Sequence, residues 1–495
     1  MVAPNAAHLC DNRRVSAARS VVVVGATIAG LMAAIDLRRR GFDVSLMSEH
    51  DTVEASTWVR GGRVDRNTEP LTLRRVFDEV LGAAGLVTAD VATLEPEPLR
   101  ARWFFPGGGV FDFGGAGDVL RERIRAFSGE TDARAYDELL VRCAELHRAA
   151  FPRFFESRRP RAMDYVRALF RKGPVVLREL ALGHSLREEL RRRFADPLLV
   201  QMFEHYAQAL GSDPRRVPAT ALALHHVDTL GTYRVRGGVG QLYRGLERAG
   251  TRLGVHYVYR AEGLRIVPAD GHRGVAGVDS ARGFREAAAV VVATDDPRAT
   301  LGGYRASAVL PFARRSASAV LWSITGESTG RPLAGTNVLP SVNPDEELDD
   351  VFEDGELPYA PTITLTTPAR GTFLLSVPAP ARGELSTEDD TRKEALRKLE
   401  AHVMHRLHDA GIHLKIFGMK RDDPSTLLHR GPGGCMYGAS FHGMFAPLHR
   451  LPTRAGSHEP GIYFAGVAAH PGPTLGMVAQ SGRLAAQAVE EDLGG

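Results

Sequence analysis

The stretch Val21-Val22-Val23-Val24-Gly25-Ala26-Thr27-Ile28-Ala29-Gly30 decides how this chain folds. A continuous β-branched run marks a strand buried on both faces of a parallel sheet, and the glycines that follow it mark a tight turn into a helix. Leu31, Ala33, Ala34 and Leu37 continue at helical spacing, Arg38-Arg39-Arg40 sits at the negative end of the helix dipole, and Gly41 suits a left-handed cap. Residues 42–47 then read as a second parallel strand. Such a βαβ unit aims backbone N–H groups and a helix N-terminus at a pyrophosphate. Gly25, Thr27, Ile28, Ala29 and Gly30 are therefore candidate cofactor contacts. Two positions depart from the dinucleotide fingerprint. Thr27 replaces its second glycine, and Ser48 stands where an acidic residue would hold the ribose, with Glu49 one place later and on the opposite face of the strand. The Ser48 and Thr27 hydroxyls offer hydrogen bonds to a ribose hydroxyl and a phosphate instead. A structural βαβ unit that holds nucleotide weakly or not at all is the competing reading.

Outward from this unit, 495 residues allow two or three domains or one large discontinuous one. Hydrophobic residues at 44% and charged residues at 24% describe a globular chain. A formal net charge of +3, with no basic block interleaved with aromatics, argues against nucleic acid as a partner. Cys10, Cys143 and Cys435 are widely spaced, so neither a disulfide framework nor a metal site is expected, and a reducing cytoplasm is the expected location. Residues 1–19 are polar and do not resemble a secretory signal. The longest apolar run, 21–35, falls short of the roughly 20 residues a membrane span needs, which leaves peripheral contact as the form of any membrane association.

The remaining chain alternates in character. Residues 71–86 read as a helix, 119–210 as a helical insertion rich in Arg, Leu and Phe, and 236–242 as the opening of another helix followed by strands at 255–259 and 290–293. Between 304 and 450 lie β-like runs at 318–325, 361–366 and 372–377 and a helix at 391–410. Finally Gly461-Ile462-Tyr463-Phe464-Ala465-Gly466 is a buried strand entering a turn, followed by His470-Pro471-Gly472-Pro473 and a last helix. The two ends of the chain thus read as parts of one domain.

Four groups of residues carry a family likeness over the whole length: the N-terminal unit; Arg236-Gly237-Gly238-Val239-Gly240-Gln241-Leu242; Ala293-Thr294-Asp295-Asp296-Pro297; and Tyr463-Phe464-Ala465-Gly466 with His470-Pro471-Gly472-Pro473 and Ser481-Gly482-Arg483-Leu484-Ala485-Ala486. The chain resembles the phytoene desaturase family of carotenoid desaturases, FAD-dependent oxidoreductases of amine-oxidase type, and within it the bacterial hydroxyneurosporene or methoxyneurosporene dehydrogenase branch. Asn337-Val338, Asp345-Glu346-Glu347-Leu348 and Pro361-Thr362-Ile363 track that branch. The resemblance implies an α/β fold: a discontinuous Rossmann-like FAD-binding domain (18–66, 215–300 and 455–495), a mixed α+β substrate domain (67–118 and 301–454) and a helical membrane-facing insertion (119–214). It implies FAD, an apolar carotenoid substrate in a long hydrophobic tunnel, and docking on the inner face of the membrane.

Departures from the family pattern gather in the cofactor's footprint. Besides Thr27 and Ser48, Glu54-Ala55-Ser56 replaces a Gly-Gly-Arg that Gly61-Gly62-Arg63 would supply through a longer loop. Thr474-Leu475-Gly476 replaces Gly-Val-Pro, and Gly263 stands where a strand valine lies against the adenine. The candidate contacts implied are Arg63, Gly263, Gly466, Gly472, Thr474, Leu475, Gly476 and Met477, besides Ser48 and Glu49. Three readings stay open: a desaturase that moves hydride from a C–H bond to flavin and a proton from the neighbouring carbon; a flavin-poor relative that binds carotenoid or a partner desaturase without redox chemistry; and a carotenoid isomerase on the same scaffold. His470, on the turn expected to face the flavin ring, is the one candidate catalytic residue, with a structural role as its alternative. Residues 158–172, from Arg158 to Lys172, mix basic and bulky apolar side chains as a lipid-facing segment would. His225-His226 reads as an interior pair, not a metal site.

Overall fold

The computed structural model describes residues 19–53, 56–66, 68–157, 183–269, 274–297, 314–385, 390–456 and 459–494. Its first layer is a five-stranded sheet whose members all run parallel, in the order Ile462–Phe464, Ala289–Val292, Ser20–Val24, Asp43–Met47, His256–Val258. The valine run lies at the middle of this order and is at most 1% exposed, as a strand covered on both faces must be. The first helix (Ile28–Arg39) and the last (Leu475–Leu493) pack together on one side of it. Gly482 makes that approach possible: a Cβ there would lie 2.3 Å from the Ala29 carbonyl oxygen. The chain's two ends are thereby joined in one sheet and one helix pair.

The second layer is a mixed seven-stranded sheet, ordered Ile412–Asp422, Ser318–Gly330, Thr372–Ala379, Ile363–Ala369, Thr336–Leu339, Leu99–Phe104, Val110–Gly114. In the hairpin from Leu99 to Gly114, Leu99, Ala101 and Trp103 alternate with Arg100 and Arg102, and Pro106 and Gly107 lie in its turn. Helices Gly117–Ser128, Glu130–Phe154, Leu186–Arg191 and Pro197–Gln208 cover this sheet's edge and share a core with Trp103, Phe111 and Phe113. Among the described residues, no helix is long and apolar enough to cross a membrane. The basic, apolar segment 158–172 lies outside the described residues. His225 is interior, placed between the hydroxyls of Tyr136 at 3.2 Å and Tyr206 at 3.0 Å, and burial pushes it down to about 3, so it is a neutral ring.

Candidate active site

A glycine turn joins the first strand to the first helix. Gly25 has φ +108°, and a Cβ on it would lie 2.8 Å from the Ala293 carbonyl oxygen, so only glycine fits. At Gly30 a Cβ would lie 2.0 Å from the Gly25 carbonyl oxygen, which presses the helix directly against the turn. Thr27 does not aim its hydroxyl at a phosphate. That hydroxyl donates to the Ala293 carbonyl at 2.7 Å and accepts from the Gly30 N–H at 3.3 Å, so it caps the helix. The remaining first-turn N–H groups have no acceptor within the helix and face outward as an anion cradle.

Thr27, Ile28, Arg66, Arg430, Gly466 and Leu475 line a cleft of about 180 Å³ at this turn. Gly466, with φ +104°, ends the strand Ile462–Phe464, and Leu475 opens the last helix, so a second helix N-terminus joins the first. Arg66 reaches Asp422 at 3.4 Å, and its Nε is buried with no partner. Burial drives the Arg66 guanidinium below its ordinary value, while Asp422 opposes that fall and Arg430 adds to it. Arg430 pairs with Asp295 at 3.4 Å. At the N-cap of the last helix the Thr474 hydroxyl is likewise buried and unpartnered. Two helix N-termini, two guanidiniums and an orphaned hydroxyl fit the pyrophosphate of a dinucleotide such as FAD.

Several expected contacts sit elsewhere. Arg63 lies on the hairpin Ser56–Val59/Gly62–Asp65, exposed, with its guanidinium 5.0 Å from the Trp58 ring centroid; Arg60 and Gly61 form the hairpin's turn, and Arg66 and not Arg63 reaches the cleft. Glu54 and Ala55 lie outside the described residues, while Ser56 lines the cleft. Ser48 is 1% exposed and its hydroxyl accepts from the His50 N–H at 3.2 Å. Glu49 accepts from the Gly263 and Leu264 N–H groups at 3.1 and 3.4 Å, and Gly263 lies in a turn instead of a strand. Gly472 and Gly476 serve packing: a Cβ would lie 2.6 Å from the Met477 sulfur in the first case and 2.7 Å from the Thr72 carbonyl oxygen in the second. Ala29 and Met477 are buried. His470 is also buried, edge-on to Phe154 at 4.7 Å with Nε2 3.1 Å from the Ser157 carbonyl oxygen, and lines neither this cleft nor the cavity beyond it.

That second cavity, about 190 Å³, opens between the seven-stranded sheet and the helix Pro197–Gln208. Trp103, Phe113, Met202 and Leu374 give it apolar walls, but Thr336, Thr362, Thr364, Thr366 and Ser376 set hydroxyls along the sheet, so it is less purely hydrocarbon than the sequence implies. Glu69, Arg100, Tyr206 and Tyr437 also line it, and sequence alone marks none of them. Among the described residues, no group of His, Cys, Asp or Glu is arranged to hold a metal ion.

Glu347 fixes this cavity's rim: its carboxylate accepts from the Thr362 N–H at 2.6 Å and the Thr362 hydroxyl at 2.8 Å. Burial pushes it up to about 7 from 4.5, against those bonds and Arg406. The folded protein thus keeps a proton that the unfolded chain releases, so this group's contribution makes stability fall as pH rises from about 4.5 to about 7 and stay level above. In Glu347→Gln the penalty is absent. Thermal melts are expected to show the variant's Tm rising relative to wild type across that window, and a pH-independent difference would refute it.

No family model matches the chain. It is 30% identical to hydroxyneurosporene desaturase of Rubrivivax gelatinosus, over 94% of this chain and 92% of that one. It is also 30% identical to hydroxyneurosporene desaturase of Cereibacter sphaeroides, over 96% and 98%. A more distant relative, 4,4'-diapolycopene oxygenase of a Methylomonas species, is 24% identical over 98% and 99%. Among solved structures, an oxidoreductase from Methanosarcina mazei superposes with TM-score 0.58 at 13% identity, covering 94% of this chain and 100% of that one. Wild-type putrescine oxidase with bound putrescine gives 0.57 at 15%, covering 96% and 99%. At such identities the structures speak for the fold alone.

Proposed function

Because this chain belongs to the carotenoid desaturase family, in its hydroxyneurosporene branch, we propose that it is an FAD-dependent desaturase that introduces C=C bonds into an acyclic carotenoid. The observation that carries this reading is the pairing of two spaces. A cleft that holds two guanidiniums at two helix N-termini adjoins a cavity with apolar walls, and Leu475 and Glu69 stand between them. In that cleft Arg66, Arg430 and the two helix ends would hold the pyrophosphate, and the bound flavin would supply a two-electron acceptor. The chain's own part is to orient a long hydrocarbon and keep water out, which the Trp103, Phe113 and Met202 walls do.

The test is to purify the protein, add FAD and record visible absorbance. Stoichiometric flavin bands, and desaturated product from hydroxyneurosporene, are expected. Absence of both would sink the proposal. A second reading, a flavin-poor relative that binds carotenoid without redox chemistry, draws on Glu49, whose carboxylate is engaged by Gly263 and Leu264. Carotenoid binding with no flavin uptake would select it.

We further propose that the enzyme docks peripherally on an anionic lipid surface, the inner face of the cell membrane. On the edge strand Ile412–Asp422, Ile416, Phe417 and Met419 are 39%, 48% and 38% exposed, beside Lys415 and Lys420. A register shift opposite Thr325 and Gly326 leaves Phe417 as the extra residue and turns it outward with Ile416. The hairpin bearing Trp58, 69% exposed, with Arg60 and Arg63, abuts the same strand at Gly418. Aromatic and aliphatic side chains ringed by cations suit a phospholipid interface. Trp58→Ser with Phe417→Ser is expected to weaken co-sedimentation with phosphatidylglycerol vesicles by about tenfold or more while FAD uptake is unchanged. Undiminished vesicle binding would rule this surface out.

A further inference from the structure

Glu69 occupies the wall between the two spaces. Its side chain faces the apolar-walled cavity, and its carboxylate accepts a hydrogen bond from the N–H of Leu475, whose side chain lines the cofactor cleft. The charged and titratable groups around it come from several elements. Arg100 projects from the strand Leu99–Phe104, Asp228 from the helix Ala223–Thr229, and Tyr437 from the loop beyond the sheet. Arg100 is 3.2 Å from Asp228, the Tyr206 hydroxyl donates to Asp228 at 2.7 Å, and Glu97 and His205 also feel the Arg100 charge. Since Arg100 is shared with Asp228, its charge does not hold Glu69 permanently ionised.

We propose that Glu69 is the catalytic base, the carboxylate that takes the proton from the substrate carbon adjacent to the one that loses hydride. This inference rests on the carotenoid desaturase reading. The step balances. One C–H bond breaks with its electron pair, which leaves as hydride to the flavin, oxidising the substrate by two electrons. The neighbouring C–H bond breaks, its pair becomes the new π bond, and its proton passes to the Glu69 carboxylate, which later yields it to solvent. Positive charge left on the conjugated chain between these events acidifies that neighbouring C–H bond, so a carboxylate suffices as acceptor.

The other groups in the cavity are poorer acceptors. Burial, helped by Arg100, pushes His205 down to about 4, and burial drives the Tyr206 and Tyr437 phenols upward, so both stay protonated. Burial lifts Glu69 to about 7, opposed by Arg100 and the Leu475 N–H. A base is most effective when its pKa lies near the working pH.

Glu69→Gln separates base from scaffold, because the glutamine carbonyl still accepts from the Leu475 N–H but takes no proton. Each protein is reconstituted with FAD and mixed without oxygen with hydroxyneurosporene in phosphatidylglycerol liposomes, and flavin bleaching is followed in a single turnover across pH. Wild type is expected to accelerate as pH rises through about 7. Glu69→Gln should be slower by about 10²- to 10⁴-fold and lack that limb, with FAD uptake intact, while Glu69→Asp keeps the limb at an intermediate rate. Infrared difference spectra should show protonated carboxyl absorption lost near pH 7 in wild type, from Glu69 and Glu347 together, and Glu69→Gln should keep only the Glu347 part. A Glu69→Gln protein that bleaches at the wild-type rate, or that fails to take up FAD, overturns the assignment alone. A wild type that takes up FAD yet bleaches with no carotenoid overturns the desaturase reading, and the base with it.

Discussion

Gly30→Ala is expected to abolish flavin uptake and to cost about 3 kcal/mol of stability. The added methyl would lie 2.0 Å from the Gly25 carbonyl oxygen and 3.4 Å from the Ala293 Cβ. The nearest obstacle is backbone, which cannot turn aside as a flexible side chain would. Relief requires the first helix to retreat from the turn, but Gly482 of the last helix blocks that retreat, since Ala29 is already packed against it. Retreat would also break the Thr27 cap and withdraw the first-turn N–H groups from the cleft. Urea unfolding measures the stability loss and flavin absorbance after FAD addition measures uptake. A variant that binds FAD with wild-type stability would show that the turn and helix are not locked together.

Arg187→Ala is expected to destabilise the protein by about 3–5 kcal/mol, the usual cost of stranding one member of a buried ion pair. Arg187, 6% exposed, reaches Glu204 through Nε at 2.5 Å and through its second terminal nitrogen at 2.8 Å, and also contacts Asp345. It therefore ties the helix Leu186–Arg191 to the helix Pro197–Gln208 and to the helix Pro344–Asp349. Its loss leaves the Glu204 carboxylate, 2% exposed, without the guanidinium. Met202, His205 and Tyr206 on the same helix line the substrate cavity, so carotenoid turnover should fall as well. Combining Arg187→Met with Glu204→Leu is expected to recover most of the stability, since a desolvated charge is removed along with its partner. Equilibrium unfolding in urea of the single and double variants decides this; a single variant within about 1 kcal/mol of wild type would show the pair behaving as an exposed one.

The nucleotide unit was legible because its determinants are local. Four β-branched residues, a glycine turn and a helical repeat follow one another in Val21–Val24 and the residues after it, and the strands at 290–293 and 461–466 carry the same buried pattern. The substrate face was not legible, for the opposite reason. Arg100, Asp228 and Glu69 look like solvated charges in sequence and become interior only because distant segments enclose them together. The Arg63 expectation missed through loop geometry: a hairpin turn at Arg60-Gly61 carries Arg63 outward and leaves Arg66 to reach the cleft. Thr27 showed that a hydroxyl can be recognised in a motif and still be committed to capping the helix. Gly472 and Gly476 were placed near the cofactor by analogy, whereas close approach of Met477 and of Thr72 is what demands glycine there.

Pairing of Ile462–Phe464 with Ala289–Val292 means that the nucleotide platform is finished by the strand that is synthesised last of its five, long after the other four. Until then the nascent chain carries an uncovered valine edge, able to join a strand from another molecule. C-terminal truncations ahead of residue 462 should therefore accumulate as aggregates, and production of soluble protein should depend on chaperone supply during synthesis more than on the final stability of the native state.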